Sequence, residues 1–316
     1  MGKLAFVFPG QGSQFVGMGA ELINQGSEAA DLFKKADERL DYELTNIILN
    51  GPEETLTKTE NTQPALLTVS AALLQLMGSA GITPDFVAGH SLGEYSALVA
   101  AKALSFEDAV YAVRMRGLFM EEAVPAGVGT MAAVLGLDSD VLDAICKQAT
   151  EATSAVQLAN LNSPGQIVIS GTKEGVEKAG ELAKEAGAKR VIPLNVSGPF
   201  HSALMQPAAD KLSTVLDELT ITDAQIPVIA NVTAEPVTAA SEIKKHLIEQ
   251  LYSPVRWIET VNYLVDQGVD TFVEVGPGKV LSGLIKKINR QVNLYNVSDM
   301  ESLNKTVAAL KEEAHS

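Results

Sequence analysis

Apolar residues occur in this chain either as short unbroken runs or at helical spacing, and the two patterns alternate. The first run, Leu4 to Phe8, is closed by Pro9 and Gly10, which predicts a strand buried on both faces. A helix is expected from about Ser27 to Arg39, and a largely buried one from Ala65 to Gly81, opened by Gln63 and Pro64. Phe86 to His90 reads as a second strand, and Leu92 to Ala103 as a helix entered without a loop. An apolar helix from Phe106 to Ala123 follows.

The middle of the chain has a different rhythm. Strands are expected at Thr130 to Leu135, Ala155 to Asn160, Gln166 to Ser170 and Arg190 to Leu194. Helices at Asp138 to Ala149, capped by Asp138 or Ser139, and at Lys173 to Ala186 fall between them. The order is β-α-β-β-α-β, the ferredoxin-like order, framed by glycines on one side and Ser197-Gly198-Pro199 on the other. It reads as a small subdomain over 127–195 inserted into a larger α/β unit made of 1–126 and 196–316. The pattern then returns to helices at Ala208 to Leu219, Ile243 to Leu251 and Val255 to Gln267, with strands at Val228 to Asn231 and Thr271 to Val275. The charged tail from Leu310 to Ser316 is expected to fray.

Composition narrows the function classes. The 316 residues are 46% apolar, enough for a sizeable core, and carry a net charge of −15. That charge argues against nucleic acid or an anionic membrane surface as the main partner. One cysteine, Cys146, excludes an intrachain disulfide and a multi-thiolate metal site, and its apolar helical neighbours place it in a core. The apolar run near the amino terminus is too short for a signal-peptide core and no run has the length of a membrane span, so the expected compartment is the cytoplasm.

The chemistry concentrates at Gly89-His90-Ser91-Leu92-Gly93, a G-x-S-x-G pattern between a strand and a helix. Flanking glycines let strand and helix approach closely, and Ser91 at a helix amino terminus sits where developing negative charge is favoured. A serine nucleophile needs a base. His315 lies in the tail, His90 should point to the opposite side from Ser91, and His246 beside Lys244 and Lys245 reads as a solvated helix face. His201, in the loop Ser197 to Ser202, remains. No Asp between Ser91 and His201 is placed to orient the imidazole, which departs from the usual hydrolase order and leaves a backbone carbonyl as the alternative. Arg114 and Arg116 are two apart on one helix and cannot share a face. An inward arginine there has either a protein carboxylate or a ligand carboxylate as its partner. Dinucleotide, P-loop and zinc-protease motifs are absent.

Eight segments in order resemble the malonyl-CoA:acyl carrier protein transacylase family. They are Phe8 to Gln14, Thr62 to Ala65, Gly89 to Glu94, Met115 to Gly117, Asn160 to Gln166, Pro199 to Ser202, Gln250 to Val255 and Glu274 to Gly278. The resemblance implies an α/β-hydrolase-like large subdomain with a mostly parallel sheet plus the ferredoxin-like insert. It implies ping-pong transfer of malonyl from malonyl-CoA to the phosphopantetheine thiol of acyl carrier protein, without metal or redox cofactor; separately, a monomer is expected. Ser91 would be the nucleophile, His201 the base, and the main-chain carbonyl of Gln250 its orienting group. The N–H groups of Gln11 and Leu92 would form the oxyanion hole. Arg116 would grip the malonyl carboxylate, Phe200 would favour malonyl, and Gln63, Asn160, Asn162 and Gln166 would complete the substrate site. An acidic carrier would need a basic patch, for which Lys189 with Arg190, or Lys286 and Lys287 with Arg290, are candidates. The alternative is a thioesterase or esterase using the same serine turn, in which water takes the acyl group.

Overall fold

The computed structural model describes residues 2–24, 28–125 and 127–314. Its strands are β1 (Lys3–Phe8), β2 (Phe86–Gly89), β3 (Gly129–Leu135), β4 (Val156–Ser163), β5 (Gln166–Thr172), β6 (Arg190–Pro193), β7 (Val228–Ile229), β8 (Pro236–Val237), β9 (Val269–Val275) and β10 (Asn293–Val297). Six form one sheet in the order β10-β9-β1-β2-β7-β8, parallel throughout except for β8. The unbroken apolar run of β1 has the expected consequence. Leu4, Phe6 and Phe8 enter a core with the helices Thr59–Ser79 and Phe106–Glu122, while Ala5 and Val7 enter a second core with Trp257, Val261 and Leu281. Both faces of the central strand are therefore covered, as a parallel sheet requires.

The other four strands form a wholly antiparallel sheet in the order β4-β5-β3-β6. This is the split β-α-β arrangement, with the helices Ser139–Ala152 and Lys173–Glu185 packed on one face around Val134, Leu142, Ile169 and Val176. Cys146 is buried in that core. Met131, Ala159 and Val168 point the other way and join the core of the large unit. The two sheets thus meet over the ends of the parallel strands.

Several expectations need correction. The buried helix starts at Thr59 rather than Ala65, so Pro64 lies inside it. Proline has no N–H to give the carbonyl of Glu60, and the Arg114 guanidinium donates to that oxygen instead at 2.8 Å. β10, a parallel edge strand, and the helix Val280–Ile288 were not foreseen. The tail does not fray at Leu310: the helix Met300–Ala314 runs through it, with Leu303, Thr306 and Leu310 buried. His315 and Ser316 lie outside the described residues. Among the described residues no helix is long and apolar enough to cross a membrane.

Candidate active site

Register brings the ends of β1 and β2 together, with Phe8 opposite Gly89. The loop after β1 and the turn after β2 therefore touch. Glycine makes this possible. A Cβ on Gly89 would stand 1.9 Å from the carbonyl of Gly93, one on Gly93 2.1 Å from the Phe8 oxygen, and one on Gly10 2.5 Å from the His90 oxygen. Strand, turn, helix and neighbouring loop are packed backbone to backbone. Ser91 sits in the turn with φ of 53°, the left-handed region that costs a residue with a side chain energy. Asn231, just past β7, holds the turn in place. Its Oδ1 accepts from the Ser91 N–H at 2.7 Å and its Nδ2 donates to the Gly89 carbonyl at 2.7 Å.

His201 reaches this turn from the loop after β6, also at positive φ (56°). Its Nε2 lies 2.8 Å from Ser91 Oγ, and its Nδ1 donates to the Gln250 carbonyl at 2.8 Å. That bond fixes the tautomer: with the proton on Nδ1, Nε2 offers its lone pair to the serine hydroxyl. Burial, and secondly the charge of Arg116, lower the imidazole pKa to about 3, so the ring is neutral and able to take a proton. Among the described residues no carboxylate bonds either the Ser91 hydroxyl or the His201 ring.

Arg116, 1% exposed, is the inward arginine. Its Nη1 donates to Gln63 Oε1 at 2.8 Å, and its Nη2 to Gln250 Oε1 at 2.8 Å and to Ser91 Oγ at 3.1 Å. Among the described residues no carboxylate lies within 4 Å of it, and its Nε has no hydrogen-bond partner. Arg114 instead stacks its guanidinium over Tyr42 and bonds Glu60 and Asn61.

A cavity of about 130 Å³ opens over Ser91, lined by Gln11, Leu92, Arg116, Met120, Asn160, Phe200 and His201 among others. The backbone N–H groups of Gln11 and Leu92 have no protein acceptor among the described residues. Asn162 is tied to His90, whose Nε2 donates to its Oδ1 at 2.8 Å and whose ring tilts against Trp257. Gln63 touches the site through Arg116 and also donates to Met120 Sδ. Gln166 is not brought together with the others: it begins β5, and its Oε1 accepts from Lys287. His246 is no solvated face. Its side chain is only 12% exposed and packs between Glu242 and Glu249.

Two polar residues at the site were missed from sequence. Asn231 was seen only as a strand end. Glu94 was seen only as part of a motif, yet it is buried with its Oε2 accepting from Gln250 Nε2 at 2.7 Å. Its signal was a charge in the first turn of an otherwise apolar helix, Gly93–Ala100.

Comparison with known proteins extends the geometry. The acyl transferase domain family model matches residues 5–313. A malonyl CoA-acyl carrier protein transacylase from Bacillus subtilis (strain 168) is 61% identical over 313 residues, 99% of each chain. The solved transacylase of the same name from Coxiella burnetii superposes with a TM-score of 0.94 at 45% identity, covering 97% of each chain. A malonyl-transacylase solved in complex with a type II PKS acyl-carrier protein gives a TM-score of 0.94 at 46% identity, over 97% of this chain and 99% of that one. A strained serine turn, a histidine held by a main-chain carbonyl and full-length similarity at this level agree: the chain belongs to the acyl transferase domain family.

Proposed function

We propose that the chain transfers malonyl from malonyl-CoA to the phosphopantetheine thiol of an acyl carrier protein through a malonyl-serine intermediate. The observation that carries this reading is the buried Arg116 guanidinium, 3.1 Å from Ser91 Oγ and with no carboxylate within 4 Å among the described residues. A buried charge needs an anion, and an acyl group bearing a free carboxylate supplies one at the distance of a short chain from the serine. The planar fork can take both carboxylate oxygens. Gln63 and Gln250 hold it from behind.

In the first half-reaction His201 Nε2 takes the Ser91 hydroxyl proton as Oγ adds to the thioester carbonyl. The Gln11 and Leu92 N–H groups receive the tetrahedral oxyanion. Collapse breaks the carbon–sulfur bond, and the proton on Nε2 goes to the departing CoA sulfur. In the second half, the carrier's thiol gives its proton to His201, attacks the malonyl ester and returns Ser91 to its hydroxyl form. The thioester brings its own activation, so the cycle requires no metal or redox cofactor. Phe200 bounds the acyl pocket, and Asn160 and Asn162 flank the pantetheine path.

In this reading 1–126 with 196–316 form the catalytic body and 127–195 the small subdomain, working as a monomer in the cytoplasm. The carrier docks on exposed basic residues. Lys189 precedes β6 and Arg190 starts it, while Lys286 and Lys287 lie in the last turn of the helix Val280–Ile288 and Arg290 just past its end. The β4–β5 turn joins them: Gly136, packed on Lys189, donates its N–H to the Gly165 carbonyl, and Lys287 donates to Gln166. Incubation with malonyl-CoA, with and without phosphopantetheinylated carrier, tests the function. Malonyl should appear on the carrier; free malonate released at the same rate without carrier would favour the esterase alternative.

A further inference from the structure

Glu94 is a carboxylate for which the acyl-transfer steps give no role. It follows Ser91 by three residues and is 2% exposed. A charge so buried is costly unless strongly partnered. Among the described residues no cation lies within 4 Å of it. Its Oε2 instead accepts from Gln250 Nε2 at 2.7 Å and from the Asn231 N–H at 3.2 Å.

The Gln250 amide spans the space between Glu94 and Arg116. Its Nε2 faces acceptors: Glu94, the Ser91 carbonyl at 3.0 Å and Asn231 Oδ1 at 3.3 Å. Its Oε1 faces a group that can only donate, Arg116 Nη2, at 2.8 Å. Asn231 cannot turn to suit a flipped Gln250, because its own amide is fixed by the Ser91 N–H and the Gly89 carbonyl. A flip would set oxygen against these acceptors and an NH₂ against the guanidinium. The Glu94 carboxyl makes the shortest of the Nε2 contacts, 2.7 Å against 3.0 and 3.3 Å, and contributes most to preventing it.

Resting on the malonyl-transfer reading, we propose that Glu94 is a positioning residue: it locks the Gln250 amide with Oε1 toward Arg116, and so keeps the guanidinium aimed at the carboxylate of the acyl group on Ser91. Glu94 acts through Gln250 and touches no substrate. The lock concerns carboxylate recognition, so its loss should appear in acyl selectivity before it appears in rate.

The test is the malonyl-to-acetyl ratio of kcat/KM, measured with CoA thioesters and carrier, in wild type, Glu94→Gln and Gln250→Met. Glu94→Gln keeps the volume but replaces a carboxyl whose Oε2 accepts from both Gln250 Nε2 and the Asn231 N–H with an amide that can turn a donor toward them. Gln250→Met removes the relay while leaving the main-chain carbonyl that holds His201. Glu94→Gln should lower the ratio about tenfold while changing acetyl transfer less than threefold. Gln250→Met should lower the ratio at least as far, and the double variant should lower it no further than Gln250→Met alone, because the two residues act in series. A ratio unchanged in Glu94→Gln, malonyl and acetyl rates falling in proportion with Tm, or additive losses would overturn the lock. Should Glu94→Gln fail to fold, an unchanged ratio in Gln250→Met overturns it equally. A wild-type enzyme without malonyl preference would instead indict the malonyl-transfer reading itself.

Discussion

Replacing Arg116 with alanine separates recognition from structure, because its contacts divide between the two. Truncation removes three hydrogen bonds and leaves the side-chain oxygens of Gln63 and Gln250 facing a hole. Each orphaned buried acceptor costs about 1–3 kcal/mol. That loss lowers Tm and is felt with every acyl group. On the malonyl-transfer reading malonyl suffers a second loss, since its carboxylate is left beside Ser91 without the guanidinium proposed to hold it. Truncating one member of a buried, hydrogen-bonded charge pair costs about 2–5 kcal/mol. At about 1.4 kcal/mol per tenfold this is roughly 30- to 5000-fold in kcat/KM for malonyl. Acetyl has no carboxylate to strand and pays only the shared loss. The assay measures kcat/KM for malonyl-CoA and acetyl-CoA at saturating carrier, in wild type, Arg116→Ala and Arg116→Lys. The malonyl-to-acetyl ratio should collapse in Arg116→Ala and recover only in part in Arg116→Lys, which restores the charge but not the planar fork. Equal proportional losses for both substrates would refute the reasoning and return Arg116 to a purely structural part.

Gly89→Ala should abolish activity and cost about 3 kcal/mol or more of stability, read as a large fall in Tm or insoluble expression, because its Cβ would overlap the Gly93 backbone; a stable, active variant would show that the turn is not closely packed. His201 should keep its neutral imidazole spectrum by NMR from pH 7.5 to pH 5, because its folded pKa is depressed to about 3. The matching stability contribution is full above the ordinary histidine pKa of about 6.5 and is lost as pH falls from there toward 3; a titration midpoint near 6.5 would contradict the burial argument. Reversing the charges of Lys286, Lys287 and Arg290 together with Lys189 and Arg190 should raise the KM for carrier by roughly 1.5- to 5-fold per charge, with salt shrinking the effect, and spare the KM for malonyl-CoA. An unchanged KM for carrier would rule out this surface.

How much of this was legible in the sequence depended on how locally each feature is encoded. β1 and the serine turn were visible because their requirements are local: an unbroken apolar run for a doubly covered strand, and glycines where backbones touch. The antiparallel sheet was visible because its helices are strongly amphipathic. β10 was missed because Asn293 to Val297 lies at the sheet edge and mixes polar with apolar residues. The last helix was missed because its apolar face is narrow and polar and charged residues fill many of its other positions. Site residues acting through partners far along the chain left little local signal. Asn231 clamps a turn 140 residues away, and Gln250 contributes its carbonyl to His201 and its side chain to Arg116. The sequence reading of His246 rests on its lysine neighbours, whereas its largely covered ring lies between Glu242 and Glu249 on the same helix.

The covalent intermediate is the central claim, and intact-mass spectrometry addresses it in one step. Wild-type protein mixed with malonyl-CoA should gain one malonyl group, mapped to the peptide carrying Ser91, and should lose it when phosphopantetheinylated carrier is added, the carrier gaining the same mass. Ser91→Ala should gain nothing under the same conditions while retaining the wild-type Tm within a few degrees. A malonyl adduct that persists on Ser91→Ala, or carrier malonylated by that variant at the wild-type rate, would contradict the account.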